Sequence, residues 1–72
     1  MKTFYHFVLK YREPVPRDNK EKLANKIYED GDFPRRSKNY NEISQYIETT
    51  EQYFLLAVIF DELWEEYETT NN

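Results

Sequence analysis

Cysteine is missing from this 72-residue chain, so neither a disulfide nor a thiolate zinc site is available to staple it. A single histidine, His6, rules out a histidine metal cluster, and no Cys/His pair exists for nucleophilic catalysis. Glycine occurs once and proline three times, so few positions interrupt regular structure. The longest apolar run, Tyr53 to Phe60, is far shorter than the roughly 20 residues that span a bilayer. The first 20 residues carry Lys2, Lys10 and Arg12 and lack the apolar centre of a signal peptide, so a cytoplasmic location without membrane contact is expected. Finally, no lysine or arginine follows Lys38.

That last absence defines the charge map. Residues 1–38 hold ten basic and six acidic side chains, a net of +4, whereas residues 39–72 hold none and eight, a net of −8, which together give −4. Such a separation bears on partners and association more than on fold. A chain this short forms one domain, spanning 1–72, near the lower limit for a core without staples. Seven tyrosines, five phenylalanines and one tryptophan supply the area to be buried.

The periodicity is helical, and four helices are expected. The first runs from about Thr3 to Tyr11, capped by Thr3, with Phe4, Phe7, Val8 and Tyr11 on one face; Pro14 and Pro16 follow it. The second starts at Asp18, where Asp18 and Glu21 make a capping box, and its stripe is Leu23, Ala24, Ile27 and Tyr28. Gly31 is expected to end it in the left-handed conformation, with Phe33 as an apolar plug and Pro34 blocking resumption. The third opens near Asn39, paired with Glu42, and turns Tyr40, Ile43, Tyr46 and Ile47 inward. Thr49 or Thr50 caps the fourth, which reaches about Glu68 before a frayed tail from about residue 69. Its first half is apolar all round and is expected at the centre of the packing, and its second half narrows to Phe60, Leu63, Trp64 and Tyr67.

These motifs in this order, Phe4-Tyr5-His6-Phe7, Tyr11-Arg12, Tyr28-Glu29-Asp30 with Phe33-Pro34, Glu42-Ile43-Ser44 with Tyr46-Ile47-Glu48, and Phe60-Asp61-Glu62 with Trp64 and Tyr67-Glu68, resemble the YozE-like family of small bacterial proteins. The resemblance covers nearly the whole chain. It implies an all-α, four-helix fold like a sterile alpha motif in a cytoplasmic bacterial protein, and it brings no biochemical activity or functional residue with it.

Two surfaces carry the functional expectations. Lys20, Lys22 and Lys26 on the second helix, with Arg35, Arg36 and Lys38 in the connector, are candidate phosphate or partner contacts if the two segments lie side by side. Asp61, Glu62, Glu65 and Glu66 are a candidate acidic partner face. The alternative for both is mutual neutralisation, because Glu62 with Glu66 and Asp61 with Glu65 are like-charge pairs at i, i+4 that nearby cations would relieve. Asp30-Gly31-Asp32 lacks the remaining ligand positions of a calcium loop, so no metal and no cofactor are expected. Ser37 and Ser44 lack a nucleophile-elbow context, and no catalytic residue is assigned. Tyr5 is a candidate exposed aromatic beside Lys2 and Lys10. The reading is a non-catalytic binding module for an unidentified protein partner or for itself, with DNA binding through residues 17–38 as the alternative.

Overall fold

Thr3 opens the chain's first helix as expected, its hydroxyl oxygen accepting from the His6 N–H at 3.1 Å. In a computed structural model describing residues 2–70, the order is α1 (Phe4–Val8), a 3-10 turn (Leu9–Tyr11), α2 (Asn19–Glu29), α3 (Tyr40–Thr49), a 3-10 helix (Glu51–Leu56) and α4 (Ala57–Thr70). No strand occurs among the described residues. The first helix is thus shorter than its periodicity suggests, since its last turn tightens to 3-10 geometry, as helix ends often do. Tyr11 is half-buried rather than a full core member.

Capping chemistry sets the next two starts. Asp18 accepts from the Glu21 N–H at 2.8 Å, and Glu21 reaches back to the Arg17 N–H at 2.7 Å, one residue before the box predicted from spacing. Asn39 accepts from the Glu42 N–H at 2.9 Å. The proline segment is tied to α2 by Asn25, whose amide group donates to the Glu13 carbonyl at 2.7 Å and accepts from the Glu13 N–H at 3.1 Å.

The second helix ends differently from expectation. Gly31 does not adopt positive φ. Asp30 makes the turn instead: its carboxylate accepts from the Asp32 N–H at 2.9 Å, and its carbonyl accepts from the Phe33 N–H at 3.3 Å. Phe33 is buried as an apolar plug, as expected.

The core draws on every helix. Phe4 of α1 packs edge-on against Phe60 and Tyr67 of α4 at ring separations of 5.3 and 5.6 Å, and Trp64 lies 5.2 Å away. Leu23, Ala24 and Ile27 of α2 and Ile43 and Ile47 of α3 complete it. Tyr67 donates to the Lys2 carbonyl at 2.5 Å, fixing the N-terminal segment to α4. Two aromatics predicted inward are instead at the surface: Tyr28 is 42% and Tyr40 40% exposed. Each sits at the edge of its stripe, where a ring can cover the core while its hydroxyl meets water. Tyr40 stacks on Phe60 at 5.8 Å and donates to Asp61 at 2.9 Å, and Tyr28 carries the Arg12 guanidinium 3.5 Å above its ring.

The fourth helix brings the main correction. Its apolar first half is not central. Residues 51–56 wind as 3-10 helix, in which positions three apart eclipse, so Tyr53 and Leu56 turn inward together and Phe54 and Leu55 turn out. Tyr53, Leu56, Phe60, Leu63, Trp64 and Tyr67 form one continuous buried stripe. Thr50 stands at the N-cap without a side-chain capping bond, its carbonyl accepting from the Tyr53 N–H at 3.0 Å, while Thr49 donates to the Gln45 carbonyl at 2.7 Å. At the other end α4 continues past Glu68 to Thr70, so Thr69 and Thr70 are helical rather than frayed. Asn71 and Asn72 lie outside the described residues.

Candidate functional site

Asp30 organises the face on which the site is built. Its carboxylate accepts from Tyr46 of α3 at 2.6 Å and from Tyr53 of the 3-10 helix at 2.7 Å, so one side chain at the end of α2 joins three elements. Burial alone would raise its pKa, but the two phenols, the Asp32 N–H and the nearby Arg35 charge outweigh it and hold the carboxyl below its usual value. The phenols respond in the opposite sense. Burial and the adjacent carboxylate push Tyr46 up to about 12 and Tyr53 further still. This cluster holds the 3-10 helix against α2, with both oxygens of the Asp30 carboxylate accepting bonds from within the fold. Among the described residues no group of three or more His, Cys, Asp or Glu side chains is placed to hold a metal ion.

With Tyr53 anchored inward, the other side of the segment faces water. Phe54 is 73%, Leu55 87% and Val58 70% exposed, three large apolar groups on one to two turns of helix. Beside them runs an open groove between α2 and the 3-10 helix, lined by Asn19, Lys22 and Lys26 on one side and by Glu51, Gln52, Phe54, Leu55 and Leu56 on the other. The sequence alone does not show this ridge, because an apolar run with no polar face reads as wholly buried. The available signal was the stripe Phe60, Leu63, Trp64, Tyr67, which extrapolates backward through Leu56 and Tyr53 and leaves Phe54, Leu55 and Val58 on the opposite face.

The basic residues are divided rather than gathered. Lys22 is exposed and Lys26 half-buried, and both line the groove. Lys20 belongs to a separate cleft with Glu62, Glu65 and Glu66, and its ammonium contacts the Glu66 carboxylate at 2.5 Å. Arg35 lies 4.9 Å over the Tyr5 ring and donates weakly to the Asp30 carbonyl at 3.4 Å. Arg36 and Lys38 are exposed in the connector. Tyr5 is not the free aromatic that its position suggests: it is half-buried against Phe33 at 6.0 Å and covered by Arg35, while Lys10 lies over Phe7.

The acidic set is divided as well. Glu66 accepts from the Tyr11 hydroxyl and from Lys20, which together hold its carboxyl below the usual range, and the same contacts raise the pKa of Tyr11 and of Lys20. Glu66 is thus spent inside the fold and relieves part of the i, i+4 repulsion with Glu62. Asp61 accepts from Tyr40. Glu62 and Glu65 are the exposed carboxylates of the cleft with Lys20. His6 is exposed, and no helix among the described residues is long and apolar enough to cross a membrane.

Relatives share this architecture. A family model described as the YozE SAM-like fold matches residues 3–69. The chain is 48% identical over 69 residues to UPF0346 protein YozE of Bacillus subtilis (strain 168), covering 96% of this chain and 93% of that one. It is 40% identical over 65 residues to UPF0346 protein YuiB of Lactococcus lactis subsp. lactis (strain IL1403), covering 90% and 94%. The solution NMR structure of the Bacillus subtilis protein superimposes with a TM-score of 0.87, covering 96% of this chain and 84% of that one. A four-helix core with this capping pattern, matched along nearly all its length in sequence and in structure, makes the chain a member of the YozE SAM-like family.

Proposed function

We propose that this protein is a small non-catalytic binding module that contacts other proteins through the apolar ridge Phe54, Leu55 and Val58. The observation carrying this reading is the exposure of three large apolar side chains within five residues of one helical segment. A patch of a few hundred Å² is about the largest that a monomer commonly shows, and patches of that size are often functional. Tyr53 and Leu56, locked in the core beneath it, keep the ridge preorganised, which lowers the entropic cost of binding.

A photoreactive phenylalanine placed at Leu55, with exposed Glu29 as the control position, tests the reading in bacterial extract. Discrete protein adducts from position 55 and none from position 29 are expected. Equal labelling from both would remove the ridge as a contact face.

DNA binding through residues 17–38 is the competing proposal, and Arg36 and Lys38 are its best-placed cations. Against it stand the net charge of −4, the engagement of Lys20 by Glu66 and the cover that Arg35 gives Tyr5. Salt-sensitive co-sedimentation with a mixed-sequence duplex, abolished by charge reversal at Arg35, Arg36 and Lys38, would establish it instead.

A further inference from the structure

We infer that the groove between α2 and the 3-10 helix takes a short acidic amphipathic helix, with apolar anchors one turn apart seated on Phe54, Leu55 and Leu56 and carboxylates paired with Lys22 and Lys26. The inference rests on the protein-binding reading above and specifies its partner. Three observations support that choice of occupant.

The first is charge. Lys22 and Lys26 are one turn apart on α2, both line the groove, and among the described residues neither forms an ion pair. Glu51 is the one opposing charge among the lining residues, against the two lysines. A ligand carrying carboxylates at i and i+4 matches the lysine pair, and the apolar floor beside it excludes water from those contacts.

The second is shape. No strand is present among the described residues, so an extended peptide finds no sheet edge to join. Lys22 and Lys26 stand at i and i+4 on one wall of the groove, an interval that the side chains of a helical ligand repeat.

The third is what a second copy could offer. Phe54, Leu55 and Val58 expose a few hundred Å² of apolar surface. A standard interface buries about 800 Å² per partner, a little over half of it apolar, so area alone admits either occupant. The carboxylates of a second copy's α4 also come with their apolar stripe, Phe60, Leu63, Trp64 and Tyr67, already buried in its own core. A short segment that brings carboxylates together with a free apolar face therefore fits the groove better than a second copy's α4 does.

Selection of a displayed library of random 14-residue peptides against the full chain tests this. Enrichment of net-negative peptides with apolar residues at i and i+3 or i+4 is expected. Their affinity should fall at least tenfold in Leu55→Asp and in the double variant Lys22→Glu/Lys26→Glu, with amide shifts in the wild type confined to residues 19–26 and 51–58. Circular dichroism of both variants confirms that they fold. Ridge-binding peptides that are neutral or basic and ignore the lysine reversals would overturn the acidic-helix inference and leave the protein-binding reading standing. No enrichment that depends on Leu55 would take down both. A concentration-dependent dimer that buries Leu55, or Leu55-dependent binding to vesicles of phosphatidylglycerol, would assign the ridge to a second copy or to a lipid surface and overturn the inference.

Discussion

Tyr53 donates its hydroxyl hydrogen to the carboxylate of Asp30, 23 positions earlier in the chain, at 2.7 Å. The bond fixes which side of an otherwise all-apolar segment enters the core. With Tyr53 turned in, the threefold winding of residues 51–56 brings Leu56 in with it and turns Phe54 and Leu55 to solvent. Structure at the end of α2 therefore determines the exposure of the ridge.

Tyr53→Phe keeps the ring and removes the donor. A hydrogen bond to a charged acceptor contributes about 1.5 to 3 kcal/mol, so the melting temperature should fall by roughly 10 to 20 °C for a domain of this size. Calorimetry of the variant checks this, and an unchanged melting temperature would mean that the bond contributes nothing to the fold.

Asp30 and Glu66 make stability depend on pH. Both carboxyls are held below their unfolded values of about 4, so in acid the unfolded chain binds protons more readily than the folded one. Their stabilisation is complete above about pH 5 and is lost as pH falls through the lowered folded values. Asp30→Asn should be less stable than the wild type at neutral pH and show a shallower acid decline in urea titrations from pH 7 to pH 2. On the alkaline side the sign reverses: Tyr46 keeps its proton to about pH 12 in the fold, so its contribution is present below about pH 10 and lost between there and about pH 12.

Gly31→Ala should stabilise the protein by about 0.4 to 1 kcal/mol, because Gly31 does not use positive φ and nothing lies within 4 Å of an added Cβ. The gain comes from reducing the freedom of the unfolded chain. A destabilised variant in denaturant titration would show that the turn needs glycine after all.

Most of the architecture was legible in the residues, and the reasons are local. Thr3, Asp18 and Asn39 each bond a backbone N–H within three residues, so their helix starts follow from short-range chemistry. The plug at Phe33 follows from an apolar residue just beyond a helix end. The site was less legible because its determinants are long-range. In the sequence Asp30 shows only as part of a helix end and of an incomplete calcium loop, yet it bonds Tyr46 and Tyr53 on other elements. Lys20 and Glu66 were placed in opposite charge sets and meet across 46 positions. Nothing within the run from Tyr53 to Phe60 marks a polar face, so its outer side is legible only by carrying the stripe Phe60, Leu63, Trp64 and Tyr67 backward.

Leu55→Asp tests the central claim most directly, through its melting temperature and its adduct formation or peptide binding measured on the same preparation. The account predicts a melting temperature within about 4 °C of the wild type, since a surface change away from structural features costs no more than about 0.5 kcal/mol, together with loss of binding. A folded variant that binds as the wild type does, or one that no longer folds, would contradict the claim that Phe54, Leu55 and Val58 form a contact face rather than part of the core.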